Sequence, residues 1–411
     1  MNYMNMEKLG KYCKIISGYA FKSNDLSEGT EIPVIKIGNI SNGNDVIIDS
    51  STQYVSSDFL SIDEKYHIKK GDVLISLTGS HINQPNSMVG RSCRNFSDTE
   101  FLLNQRAGKV IPNENADKNY LYYLLNTESF KYSICNRAYG AANQANVSPS
   151  DIENIKWNFP PLPTQQKIAS ILSAYDNLIQ NYKKQIEALQ TAASQLYKEW
   201  FVRFRFPGYQ TTNFENGIPE GWNYKRIFEL YNTTSGGTPA RTNSSYYENG
   251  TIPWVKTGEL LDTLITDTEE YITEEGLKNS SAKIIEPGSL LCSMYAGVGK
   301  LGINVIPMTC SQATCVFTPK SNISIWYLFF WLMRNKEYLE SISFGAAQQN
   351  ISQDIIKKIT VLFPSESVTL SFDEKIKPIY KKIQNLMQQI SNLTQQRDLL
   401  LPRLMTGKLE V

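Results

Sequence analysis

Histidine is almost missing: the 411-residue chain has only His67 and His81. That leaves no constellation for histidine-based acid–base work and no histidine cluster for a metal. The six cysteines, Cys13, Cys93, Cys135, Cys292, Cys310 and Cys315, show no CxxC spacing. Neither a zinc site nor a disulfide framework follows, and a reducing cytoplasm is expected. Long apolar runs are lacking too. The longest, Ile325 to Met333, is too short to span a bilayer and reads as a buried helix. MNYMNMEKLGKYC, at the start, has no signal-peptide apolar region. Walker A, HExxH and G-x-S-x-G motifs are all missing. The expectation is a chain without catalysis of its own.

Charge of one sign is scarce as well. Lys and Arg number 41 against 40 Asp and Glu, a net +1. Residues 1–157 carry 16 basic against 17 acidic side chains, and residues 207–364 carry 12 against 15. Residues 158–206 carry 6 against 3, and residues 365–411 carry 7 against 5. A basic-tail nucleic-acid binder is excluded, so any DNA affinity has to come from clustering on one face.

What the chain does have is repetition. Ile168, Leu172, Tyr175, Ile179, Tyr182, Ile186, Leu189, Ala193, Leu196 and Trp200 follow at alternating steps of four and three, the seam of a coiled-coil helix. Phe372, Ile376, Ile379, Ile383, Leu386, Ile390, Leu393, Arg397, Leu400 and Leu404 repeat it, each 204 residues later. The first helix is expected to start behind Pro160–Pro163 with Thr164 as N-cap. In the second, Ser371 and Glu374 form a capping-box pair, Pro378 is expected to kink or delay the helix, and Arg397 to snorkel out of the seam.

The globular stretches repeat as well. IPVIKIGNI (32–40) matches TIPWVKTGEL at an offset of 220, KKGDVLISL matches EPGSLLCSMY at 217, and NQRAGKVIP matches SQATCVFTP at 207. YGAANQANVS matches FGAAQQNIS, with Asn146 on Asn350 at 204. Indels collect in loops while helix length is held. NYLYYLLNTESFKYSI (119–134) reads as one helix, Tyr139–Asp151 as a polar loop, Ile155–Phe159 as a last strand, and Arg203–Trp222 as a short linker. The fold expected is α+β: two globular units related by a pseudo-two-fold and separated by an antiparallel two-helix coiled coil. At about 1.5 Å per residue the seam is roughly 50 Å long, about 15 base pairs of duplex.

Two strings mimic catalytic motifs. Gly297–Gly302 fits GxGxxG, but Pro307 follows and no acidic residue stands about twenty positions on, so a glycine-rich turn is the simpler reading. Asn158-Phe159-Pro160-Pro161 has the wrong order for an amino-methyltransferase loop and reads as a strand terminator. Binding remains. Amide and small polar side chains suit base edges and close backbone approach, and scattered cations suit phosphates. The candidates in the first unit are Lys22, Lys36, Asn39, Thr78, Ser80, Asn83, Arg91, Gln105, Arg106, Tyr139, Asn143 and Gln144. Those in the second are Thr238, Arg241, Lys256, Thr257, Tyr295, Lys300, Gln312, Gln348 and Gln349. Taken singly each is an ordinary surface residue; recurrence at matched places sets them apart.

Pro160-Pro161-Leu162-Pro163-Thr164-Gln165-Gln166-Lys167-Ile168-Ala169-Ser170-Ile171-Leu172 is similar to the run that opens the first spacer helix of type I restriction–modification specificity subunits. Gly217-Ile218-Pro219-Glu220-Gly221-Trp222 and Leu400-Leu401-Pro402-Arg403-Leu404-Met405-Thr406-Gly407-Lys408-Leu409 extend the resemblance over essentially the whole chain. Thr164 stands where the family often has Glu, and Phe363-Pro364-Ser365-Glu366-Ser367 lacks the Pro-Pro-Leu and Gln-Gln elements. The resemblance implies target-recognition domains at 1–160 and 207–364, each reading half of a split asymmetric DNA site, and spacer helices at 161–206 and 365–411. It also implies two docked modification (methyltransferase) subunits, ATP-dependent restriction subunits, and S-adenosylmethionine, ATP and Mg on those partners rather than on this chain. Two other readings stay open: a coiled-coil adaptor holding two protein-binding domains without DNA, and an enzyme binding a nucleotide at Gly297–Gly302.

Overall fold

The computed structural model describes every residue except 1–5, 30, 82–87, 142, 143, 296 and 346–349. The chain divides into two compact units, Met1–Gln180 with Ser391–Val411, and Asn181–Ile390. Each long helix contributes to both.

In the first unit a four-stranded antiparallel sheet runs Cys13–Ser17, Ala107–Pro112, Val73–Ser76, Ser92–Arg94. A second four-stranded sheet contains one parallel pair, Ile32–Ile35 beside Phe101–Leu103. Val73–Ser76 is buried throughout, so its apolar run reads as a core strand rather than an alternating one. Gly71, at φ +82°, turns the chain into it, a backbone state that favours glycine. Residues 119–134 are two helices instead of one. Thr127 ends Lys118–Asn126 and caps Glu128–Cys135 through its hydroxyl. Nor is the stretch from Tyr139 a plain loop: Tyr139–Ala141 and Gln144–Asn146 form a hairpin that pairs onward to Thr78–Gly79. The last strand is Lys156–Asn158, shorter than its apolar pattern suggests.

Within this unit the first long helix, Leu162–Tyr197, begins two residues before Thr164. Gln165 supplies the anchor. Fully buried, it accepts from Asp117 N (3.1 Å) and donates to Pro160 O (2.9 Å). Ile168 and Leu172 share one core with Leu404 and Met405 near the end of the second long helix, Glu366–Met405. Asp176 meets Arg397 at 2.7 Å, so the two segments run in opposite directions here. Arg397 does not snorkel outward; its side chain is 13% exposed and is held by a buried carboxylate.

In the second unit a five-stranded sheet runs Tyr231–Ser235, Thr314–Pro319, Leu290–Ser293, Leu301–Asn304, Thr263–Ile265. A three-stranded one runs Glu270–Ile272, Ile252–Val255, Thr309–Cys310. Ile325–Arg334 is the buried helix its composition predicts. The stretch Arg203–Trp222 is not a free linker: Phe206 and Trp222 are buried, and Trp222 lies 5.9 Å from Phe201. The first long helix ends in a π turn, Lys198–Val202, which carries Trp200 and Phe201 into the core. Their rings lie 5.7 and 4.9 Å from Phe372, again at opposite ends of the two helices. The second long helix starts at Glu366, five residues before Ser371, so the Ser371/Glu374 pair is internal. It runs through Pro378 without a break, and that residue faces solvent. No seam residue named above is classed as exposed. Among the described residues, no helix is long and apolar enough to cross a membrane.

Candidate nucleic-acid interface

Four backbone hydrogen bonds recur at matched places in the two units. In the first, Leu77 N donates to Arg106 O (2.9 Å) and Val147 N to Leu77 O (3.0 Å). Ser76 N reaches Arg91 O (2.8 Å), and Asn104 N reaches Ile35 O (3.0 Å). In the second, Met294 N donates to Ala313 O (2.8 Å), Ile351 N to Met294 O (3.0 Å), Ser293 N to Lys300 O (2.9 Å) and Ser311 N to Val255 O (2.9 Å). Residue 77 corresponds to 294, 106 to 313, 147 to 351 and 35 to 255. Each central strand therefore delivers its end to the same three segments, and a fourth bond ties two of their neighbours together in the same way. The sequence offsets differ from loop to loop, so this agreement comes from tertiary structure.

On this frame the exposed candidates in the first unit are Lys22, Gln105, Arg106, Tyr139 and Gln144. Thr78 and Ser80 are buried; the Thr78 hydroxyl donates to Asn146 Oδ1 at 2.9 Å and ties the hairpin to the strand end. Asn39 is 5% exposed and its amide is fully committed. It accepts from Lys36 N (2.9 Å) and donates to Ile47 O (2.8 Å) and Thr52 Oγ1 (3.0 Å), which removes it from any base edge. Lys36 reaches Gln53, and burial lowers its pKa. The half-buried Arg91 donates to Ile37 O at 3.1 Å. Lys36, Arg91, Gln105 and Arg106 thus border one surface, joined through the backbone of Ile35, Asn104 and Leu77.

In the second unit Arg241, Tyr295, Lys300 and Gln312 are exposed, while Thr238, Lys256 and Thr257 are half-buried. Gln105 and Gln312 fall at the same place, each exposed. Gln312 N reaches Thr238 Oγ1 at 3.4 Å. Arg241 is paired with Glu270 (2.6 Å) and sits over Tyr247 and Trp254 at 4.4 and 4.7 Å. Lys256, the counterpart of Lys36, is bonded to Glu269 and Glu270 at 3.0 Å each, and those bonds raise its pKa. Asn83, Asn143, Gln348 and Gln349 lie outside the described residues. The GxGxxG string leads into strand Leu301–Asn304 rather than a helix, with Gly299 at φ +82°, so it offers no helix N-terminus for a phosphate.

Three structural features were not anticipated. One is Gln165, whose buried amide fastens the helix start. Another is Asp176, 3% exposed, which gathers Arg397, Arg94 (3.2 Å) and the Tyr123 hydroxyl (2.5 Å). Pairing the seam in opposite directions puts the interrupting Arg397 beside Asp176, so that signal lay in the sequence. The third is Phe344, exposed and bridged antiparallel to Asn350.

The frame around the central strand is thus built twice within one chain. Comparison with known proteins gives the family. The type I restriction modification DNA specificity domain matches residues 2–191 and again 219–398. The chain is 27% identical over 320 residues to the type I restriction enzyme MjaIX specificity subunit of Methanocaldococcus jannaschii, spanning 76% of this chain and 73% of that one. It is 25% identical over 417 residues to the HindI specificity subunit of Haemophilus influenzae, spanning 84% and 88%. The crystal structure of the type I system S subunit from M. genitalium superposes with a TM-score of 0.57 at 16% identity, over 98% of this chain and 97% of that one, a likeness of fold. The chain belongs to the type I restriction–modification specificity subunits. It is the non-catalytic component of such a system, and its task is DNA target recognition. The adaptor and nucleotide-enzyme readings fall with that assignment.

Proposed function

We propose that each unit reads one half of a split, asymmetric DNA sequence and that the two long helices set the distance between the halves. The observation that carries this reading is the shared backbone frame, which presents one polar surface per unit, with Gln105 and Gln312 at matched exposed positions. Amide side chains pair bidentately with adenine, and nearby cations hold phosphates in register. Around Gln105 and Gln312 the units differ: Arg106 stands where the second unit has Ala313, and Arg91 where it has Lys300, which suits two different half-sites. The outer faces of the helices dock two methyltransferase subunits. S-adenosylmethionine, ATP and Mg belong to those and to the restriction subunits.

The test is to express the chain with a cognate methyltransferase subunit and map methylated adenines across the genome. Two short sequences separated by unread pairs are expected. A continuous methylated motif defeats the two-reader account.

A further inference from the structure

Tyr139 and Phe344 expose 61% and 65% of their surface, among the most exposed large apolar side chains of the chain. They occupy the same place. Tyr139 pairs with Asn146, which pairs with Thr78 at the end of the central strand. Phe344 pairs with Asn350 through two 2.8 Å backbone bonds, and Asn350 bridges to Tyr295. Each ring is followed by a glycine in the left-handed region, Gly140 at φ +119° and Gly345 at φ +110°. A Cβ on Gly140 would stand 2.4 Å from Gln144 O, so the turn beside the ring admits only glycine.

The chemistry shared by the pair is narrow. One ring carries a hydroxyl and the other does not, so hydrogen-bond readout is not the common role. What both offer is an aromatic face on a backbone pinned to the strand end. A ring face stacks on any base, because every base has a π surface. It therefore serves a step that both half-sites need, whatever their sequences. Modifying a base within a duplex requires taking it out of the stack, and aromatic or apolar side chains hold such opened steps.

We infer that Tyr139 and Phe344 are positioning residues that stack on a base left exposed where the duplex opens, each in the half-site of its own unit. The inference rests on the DNA-reading function above. Arg106 and Gln105, across the strand end, hold the closed part of the site.

The test uses the chain assembled with its methyltransferase subunits and duplexes carrying the methylated motif found in the host genome. Single-turnover methylation is measured separately at each half-site, on matched duplexes and on duplexes with a mismatch opposite the target adenine. Tyr139→Ala is expected to slow its own half-site on the order of tenfold to a hundredfold, with the other half-site unchanged. Tyr139→Phe stays near the parent rate, and the mismatch, which is easier to open, restores Tyr139→Ala to within a few fold. Phe344→Ala behaves likewise at the other half-site. Parent rates for both alanine variants overturn the inference. So does a loss that the mismatch does not relieve, which marks a groove contact, or a loss of assembly on gel filtration, which marks a ring facing protein. Failure of the underlying function looks different: the unsubstituted complex itself then modifies no split site.

Discussion

Arg94, Asp176, Tyr123 and Arg397 in the first unit stand where Ile303, Tyr380, Phe330 and Ala193 stand in the second. Strand register makes the first match, since Arg94 and Ile303 each pair with the first residue of the central strand, Val73 and Leu290. The constant helix offset of 204 makes the matches of Asp176 with Tyr380 and Ala193 with Arg397, and the offset of 207 between helices Lys118–Asn126 and Ile325–Arg334 makes that of Tyr123 with Phe330. One unit joins its helices to its globular part with a buried ion cluster, the other with rings and methyls. All four members of the second set are at most 3% exposed. In the first set Asp176 accepts from two guanidinium groups and a phenol. Burial works against the charge of Arg397, but bonds to Asp176 and Asp398 outweigh it and raise its pKa.

The packing nearby differs in the same sense. Leu401 and Met405 border a cavity of about 790 Å³ in the first unit, together with Tyr122, Tyr123 and Lys131. Their counterparts at 204 residues' remove are Tyr197 and Phe201, whose rings lie 5.6 Å from Phe330 and 5.1 Å from Tyr327. Burial pushes the Lys131 ammonium down to about 8. Duplicated backbones thus tolerate opposite chemistries at one joint. A charge cluster demands every partner, whereas an apolar joint degrades gradually with volume.

The comparison can be broken at that joint. Asp176→Ala leaves Arg94 and Arg397 buried beside one another and is expected to cost about 3–5 kcal/mol. Denaturant unfolding gives the size of the loss. Hydrogen exchange gives its place, with protection lowered within residues 1–180 and held within residues 207–364. Transplanting the apolar set (Arg94→Ile, Asp176→Tyr, Tyr123→Phe and Arg397→Ala together) is expected to recover most of the loss, because a buried ion group exchanges for packed apolar side chains at little net cost. A transplant worse than Asp176→Ala means that the joints are not equivalent.

A smaller effect sharpens the contrast between Lys36 and Lys256. Glu270→Gln removes the charge that holds Lys256 and Arg241 while keeping an acceptor. Exposed pairs of this kind contribute about 0.2–1 kcal/mol, so DNA binding by the assembled complex is expected to tighten by no more than about fivefold, with a steeper salt dependence. Unchanged affinity and salt slope place both cations away from phosphate.

Much of the architecture was legible in the residues because periodicity and repetition are local signals. The two seams, the buried helix at Ile325 and the matched strands at Ile32 and Ile252 needed only spacing and composition. Helix starts were less so. Leu162 and Glu366 open their helices without a local cap pattern that outranks Thr164 or Ser371, and at Leu162 the anchor is the buried Gln165 reaching Asp117. Pro378 failed as a helix breaker because its missing N–H costs one bond on a solvent-facing turn of a 40-residue helix. Among the interface candidates, exposure was the hidden variable. Gln105 and Asn39 look alike in sequence, but only tertiary structure turns one outward and surrounds the other with Ile47 and Thr52.

The spacing role of the helices is the central claim, and its most direct test is deletion of one heptad from each, 183–189 with 387–393. Methylated adenines are then mapped in cells that also carry the methyltransferase subunit. Seven residues at about 1.5 Å each shorten the ruler by roughly 10 Å, about three base pairs. The account predicts the same two half-site sequences with a shorter gap. Altered half-sites, or an unchanged gap, contradict it.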